Sequence, residues 1–210
     1  MAHIGIDARL TQYRSGGTST YIRALLAEFA HDSTQRYTVI QSRKQKRPLV
    51  EGLRHVKAWT PPHHRLERTA LSVELTRLGL DVLHSPDFIP PLRGARRHVI
   101  TVHDLAFLLY PEQMTGDSRR YYNEGIAWAV RHADHILSVS EATKADLVRL
   151  LNVPEAKITV QYHGVESSFC PTLDSEIIPT LIQYRIRPGY FLFVGTIGPR
   201  KNIPGLLAGY

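Results

Sequence analysis

His103 and Asp104, in the stretch TVHDLAFLLYPE, directly follow the apolar run Val99 to Val102. A histidine leaving a buried strand can donate a hydrogen bond to a sugar hydroxyl or move a proton near neutral pH. The carboxyl edge of a parallel sheet is also where open α/β folds place their ligands. A His-Asp dipeptide would equally suit a metal phosphohydrolase, but that chemistry needs further ligands at definable spacing. His63-His64, His84 with Asp87, and His132 to His135 supply no zinc pattern, so no metal is expected. With eleven histidines in the chain such neighbours arise by chance, and a structural or surface role is the ordinary reading of any one of them. His84 and Asp87 nonetheless end another strand on the same edge, where they are placed to line a cleft.

Two anion-binding candidates accompany this edge. Gly16-Gly17 falls between a strand ending in Asp7-Ala8-Arg9 and the helical segment TSTYIRALL, so the backbone there can approach a ligand and a helix N-terminus can offer N–H groups. A Gly-Gly loop alone is a weak signal. It lacks both the P-loop and the GxGxxG patterns, which argues against an ATPase or a dehydrogenase. Arg200 and Lys201, in VGTIGPRKN, lie where a run reading as a strand, Tyr190 to Val194, hands over through a Gly195 to Pro199 turn to a helix over Ile203 to Tyr210. Fixed cations at such a turn add to the positive end of the helix dipole. An isolated Arg-Lys pair would be a basic surface turn; the flanking strand and helix favour phosphate.

The elements that must position these residues alternate from the start of the chain. Strands are expected at His3–Ile6, Tyr37–Gln41, His55–Trp59, Asp81–His84, Val99–Val102, His135–Val139 and Ile158–Gln161. Helices are expected at Thr18–Phe29, Leu66–Leu78, Tyr121–His132 and Glu141–Leu151, the last with Ser140 as its N-cap. This alternation predicts an α/β fold, a doubly wound and mostly parallel sheet. Pro171, Pro179 and Pro188 place an interdomain connection over 171–188, between a first domain over 1–170 and the start of a second over 189–210.

Composition narrows the class further. The 210 residues are 43% hydrophobic, ordinary for a packed core, and the single cysteine, Cys170, excludes an intramolecular disulfide. No apolar run approaches the roughly 20 residues of a membrane span, and MAHIGIDAR has no signal-peptide core, so a cytoplasmic protein is expected. The formal charge of +7 favours polyanionic surroundings. Its densest cluster, Arg43 to Arg47, reads as a solvated loop, with transient contact at the inner face of an anionic membrane as the functional alternative. No nucleic-acid-binding motif is present, so no nucleic-acid partner is expected.

The Gly16-Gly17 loop, the His103-Asp104 dipeptide, the strand ends at Ser138 to Ser140 and at His163-Gly164, and the PRKN turn occur in the order and approximate spacing of family 4 glycosyltransferases. The resemblance covers essentially the whole chain and is strongest to bacterial mannosyltransferase-like members. It implies the amino-terminal, Rossmann-like half of a GT-B enzyme. Such an enzyme would move mannose or a similar hexose from a nucleotide-sugar to a glycan, lipid-linked or other acceptor, with retention and with neither metal nor cofactor. Carried over, His103 would be the catalytic contact to the transferred sugar, and Gly16 and Gly17 would border the donor phosphates and acceptor. Asp104 and Ser140 join that binding set, and Arg200 and Lys201 would face the diphosphate, Lys201 being the better match.

Three departures accompany the resemblance. Thr196 stands where many relatives carry arginine, and His163-Gly164-Val165-Glu166 replaces their Asn-Gly-Val-Asp. The two glutamates that hold sugar and ribose in such enzymes lie beyond this sequence, so the chain alone is expected to have little activity. The alternative is a non-catalytic α/β module that binds a glycan or phosphate.

Overall fold

The computed structural model describes residues 1–210 apart from Arg65, Met114, Thr115 and Thr196, and apart from the side chains of Gln113, Asp117, Ser118 and Arg200. The chain forms two compact units, Met1–Gly164 and Val165–Tyr210.

The first unit alternates strand and helix: β1 His3–Asp7, α1 Gly17–Phe29, β2 Arg36–Ser42, β3 Arg54–Ala58, α2 Glu67–Thr76, β4 Leu80–Ser85 and β5 Ala95–Val102. It continues through α3 Ala106–Leu109, α4 Gly116–His132, β6 His135–Ser138, α5 Glu141–Leu151 and β7 Ile158–Val160. The strands form one sheet in the order β3-β2-β1-β4-β5-β6-β7, and every pairing is parallel. Parallel strands covered on both faces must be apolar on both. β2 shows this directly: Val39 joins Ile22 and Leu26 of α1 in one cluster, while the next residue, Ile40, joins Leu71 and Leu75 of α2 in another. A third cluster packs Ile126, Ala129 and Val130 of α4 against Ile100, Val102 and Ile136.

Two elements are longer than their apolar cores suggest. β5 begins at Ala95, four residues before the apolar run, because Arg96 and Arg97 extend it through ion pairs to Asp81 at 3.3 Å and Asp134 at 2.6 Å. α4 starts at Gly116, and its polar opening turns carry no hydrophobic period to announce them.

In the second unit, α6 Asp174–Tyr184 runs within the Pro-rich stretch and includes Pro179. Its Ile177, Ile178, Leu181 and Ile182 supply the helical spacing. The run Tyr190–Val194, expected as a strand, is a correction: it has no regular secondary structure, and Phe191, Leu192 and Val194 are exposed. An apolar run becomes a strand only when its N–H and C=O groups find a neighbouring strand, and the sheet pairs only strands of the first unit. Pro199–Lys201 forms a single 3-10 turn leading into α7 Ile203–Gly209, with Asn202 as N-cap accepting from the Gly205 N–H at 3.3 Å.

Candidate active site

The sheet order reverses direction between β1 and β4, and a doubly wound sheet opens a crevice at the carboxyl ends of the strands beside such a switch. Here the ends of β1, β4 and β5 and the loop before α1 surround a cleft of about 310 Å³, bordered by Arg14, Gly16, Gly17, Asp87, His103 and Asp104. Five residues singled out in the sequence, Gly16, Gly17, Asp87, His103 and Asp104, thus meet at one opening. Gly16 adopts φ 133°, which side chains disfavour, and α1 has no side-chain cap. The first N–H groups of α1 are therefore left for a ligand or water.

His103 is oriented by its own strand ends. Its Nε2 lies 2.9 Å from the Pro86 carbonyl, which can only accept, so Nε2 carries a proton, and in the neutral ring Nδ1 is an acceptor. The ring meets Tyr21 edge-on at 5.2 Å between centroids and His163 at 5.4 Å. Asp104 is exposed at the rim, and its Oδ1 accepts from the Ala106 N–H at 2.9 Å at the start of α3.

Ser140 does not border this cleft. It caps α5 as expected, accepting the Thr143 N–H at 3.1 Å, and Thr143 Oγ1 in turn donates to the His103 carbonyl at 3.3 Å. Its link to the cleft thus runs through the backbone of His103. Lys201 belongs to the 3-10 turn of the second unit, where it is exposed. Arg200 shares that turn, with its side chain outside the described residues, and Thr196 lies outside the described residues altogether.

Beneath the cleft lies a charged network that the sequence did not announce. Arg9 is fully buried and reaches Asp7 at 2.7 Å, Glu67 at 2.6 Å and the Thr60 carbonyl at 2.8 Å. Glu67 also accepts the His63 N–H at 2.6 Å and the Tyr121 hydroxyl at 3.3 Å. Burial raises the Glu67 carboxyl above its ordinary range against the opposing pull of Arg9. His63 Nε2 lies 2.9 Å from Asp87 Oδ2. Burial would push Asp87 up, but the hydrogen bond and charge of His63 and the Phe88 N–H outweigh it and hold Asp87 below the usual carboxylate range. Among the described residues, no three His, Cys, Asp or Glu side chains converge to hold a metal ion.

His84, in β4, is buried, with Nε2 2.8 Å from Thr101 Oγ1. Burial, and then repulsion from His103, lower its pKa from 6.5 to about 4. The unfolded chain takes up this proton near pH 6.5, while the folded chain stays neutral until about pH 4. The stability contribution of neutral His84 is complete above pH 6.5 and is lost as the pH falls through that window toward 4. That loss should amount to roughly 3 kcal/mol. In urea titrations, His84→Gln should lose less stability than the parent between those limits. Parallel profiles for the two would assign the acid sensitivity to other groups.

Residues 15–169 match the model of Glycosyltransferase Family 4. The O-antigen chain mannosyltransferase B of Escherichia coli is 35% identical over 130 residues, which are 61% of this chain and 34% of that protein. The O-antigen chain mannosyltransferase RfbU of Salmonella typhimurium is 32% identical over 108 residues, 51% of this chain and 27% of that protein. Each match therefore spans about a third or less of the curated relative. Among solved structures, WaaG, a glycosyltransferase involved in lipopolysaccharide biosynthesis, aligns with TM-score 0.65 at 12% identity, covering 98% of this chain and 58% of that one. Anabaena HepE in complex with UDP-glucose aligns with TM-score 0.58 at 15% identity, covering 88% and 50%. At such identities the likeness speaks for the fold, the Rossmann-like half of a GT-B architecture.

Proposed function

Because the chain belongs to Glycosyltransferase Family 4, we propose that the complete protein is a retaining glycosyltransferase that moves mannose, or a similar hexose, from a nucleotide-sugar to a glycan or lipid-linked acceptor. The observation that carries this reading is the meeting of Gly16, Gly17, His103 and Asp104 at one cleft beside the sheet's switch point. The names of the two mannosyltransferase relatives support mannose. In this reading His103 contacts the transferred sugar, with Nε2 held by Pro86, and the uncapped start of α1 borders the donor phosphates. Residues 1–170 are the acceptor-side domain, 171–188 the connection, and 189–210 the start of the nucleotide-sugar domain.

Departure of a nucleoside diphosphate builds negative charge that helix N–H groups and fixed cations stabilise. Because the matches span about a third or less of the curated relatives, this 210-residue chain by itself is expected to turn over little substrate. No helix among the described residues is long and apolar enough to cross a membrane. The exposed Arg43, Lys44, Lys46 and Arg47 support transient contact with an anionic surface.

The test is transfer by the complete protein from a panel of nucleotide-hexoses, with the anomeric configuration of the product read by NMR. Retained configuration with a mannose donor is expected; an inverted product, or no transfer from any donor, would refute the reading. A second expectation concerns Lys201. In the complete protein Lys201→Ala should weaken binding of nucleoside diphosphate by about one to two decades while leaving the nucleoside nearly unchanged, because only the phosphates feel the lost charge. Calorimetry on both ligands makes the comparison, and equal weakening of the two would make the PRKN turn structural.

A further inference from the structure

Beside the cleft, a larger groove of about 770 Å³ opens along α2 and α4. Among the described residues its lining carries three arginines, Arg14, Arg68 and Arg120, against a single carboxylate, Glu124. Arg120 and Glu124 lie 3.3 Å apart as an exposed pair, and Arg14 donates to the Tyr122 hydroxyl at 3.3 Å. Arg68 is the least satisfied of the three. Its guanidinium lies 4.8 Å from the centre of the Trp128 ring, and its buried Nη1 has no acceptor among the described residues. A buried charged donor without a partner is costly, and in native proteins such a group generally serves something.

We propose that this groove binds a phosphate or diphosphate group carried by the acceptor. Arg14 and Tyr122 line both the groove and the cleft, so one ligand can lie across the two, its anionic end among the arginines and its sugar hydroxyl toward His103. Guanidinium forks bind phosphoryl oxygens in pairs. Three of them facing one carboxylate suit a ligand with two or more negative charges better than a single sugar carboxylate. Arg68 borders the groove while its Nη1 has no acceptor among the described residues, so a turn of the guanidinium toward such an oxygen would give it one. This assignment rests on the transferase reading of the cleft for the identity of the ligand, but the anion site itself stands on the groove alone.

Trp128 makes the site measurable. The chain has two tryptophans, so a Trp59→Phe background leaves Trp128 as the sole indole reporter. Inorganic pyrophosphate added to that 210-residue chain should change its fluorescence saturably, beyond the effect of sodium chloride at equal ionic strength, while methyl α-mannoside should not. Arg68→Gln should weaken pyrophosphate by about tenfold, and Arg14→Gln and Arg120→Gln by several-fold each. If Arg68→Gln fails to fold by circular dichroism, the other two variants decide. Lack of a saturable response, or arginine variants that all bind within twofold of the parent, would overturn the proposal.

In the complete protein, transfer to an acceptor bearing a phosphate should fall in the same variants more than transfer to its dephosphorylated form. Equal loss with both acceptors would overturn the assignment to the acceptor. Pyrophosphate binding needs neither donor nor turnover. A protein that transfers sugar but ignores pyrophosphate refutes only this inference, and one that binds pyrophosphate but transfers nothing refutes the transferase reading.

Discussion

Arg9→Met will destabilise the first unit by about 3–5 kcal/mol, enough to unfold a domain of ordinary stability. Arg9 is fully buried between Asp7 and Glu67, whose side chains are 11% and 5% exposed. Methionine fills a similar volume but leaves two buried carboxylates facing each other with no cation between them. Proton uptake would relieve part of that cost, so the variant should regain some stability as the pH is lowered toward 5, opposite to the trend expected from His84. Glu67→Gln removes one charge while keeping a hydrogen-bond acceptor toward Arg9, and should cost less, about 1–2 kcal/mol. Urea unfolding of the three proteins gives both numbers. A loss below about 1 kcal/mol for Arg9→Met would mean that the network contributes geometry without stability.

The second large effect falls on turnover. In the complete protein His103→Ala should lower the rate by something like 10²-fold, the usual worth of a positioned acid–base or hydrogen-bonding group. The fold should tolerate it, since His103 is only half-buried and, among the described residues, its side chain has one hydrogen bond, to the Pro86 carbonyl. Steady-state kinetics beside a thermal melt separates the two effects. Near-normal turnover with an unchanged melting point would remove His103 from the chemistry.

Local chemistry was legible in the sequence and distant pairing was not. Val99 to Val102 announced β5 by composition alone, and Ser140 announced the cap of α5. His103 and the Gly16-Gly17 loop could be placed because each follows an apolar strand, and in a parallel sheet every such exit lies on one edge. The same rule would have found His63, which leaves the carboxyl end of β3, but its neighbour His64 drew the reading toward metal spacing, where it led nowhere.

The Arg9–Glu67 and His63–Asp87 pairs join residues 58 and 24 positions apart, and charged residues that meet across elements leave no period to detect. Arg14 and Arg68 of the groove were hidden for the same reason. Tyr190–Val194 erred the other way: its composition suits a strand, but a strand is a property of a pair.

Strand order also sets a timetable for synthesis. β1 leaves the ribosome first yet occupies the middle of the sheet, and its register with β4 pairs Ile4 with Val82. At about 5–20 residues per second, one edge of β1 waits roughly 4–16 s for its partner to be translated. β2 and β3 can cover the other side meanwhile, and β5, β6 and β7 then add outward in the order they emerge. During that interval the nascent chain presents an apolar strand edge beside an Asp7–Arg9 pair that waits for Glu67 to emerge. It is the stage at which a holdase chaperone would have most to bind.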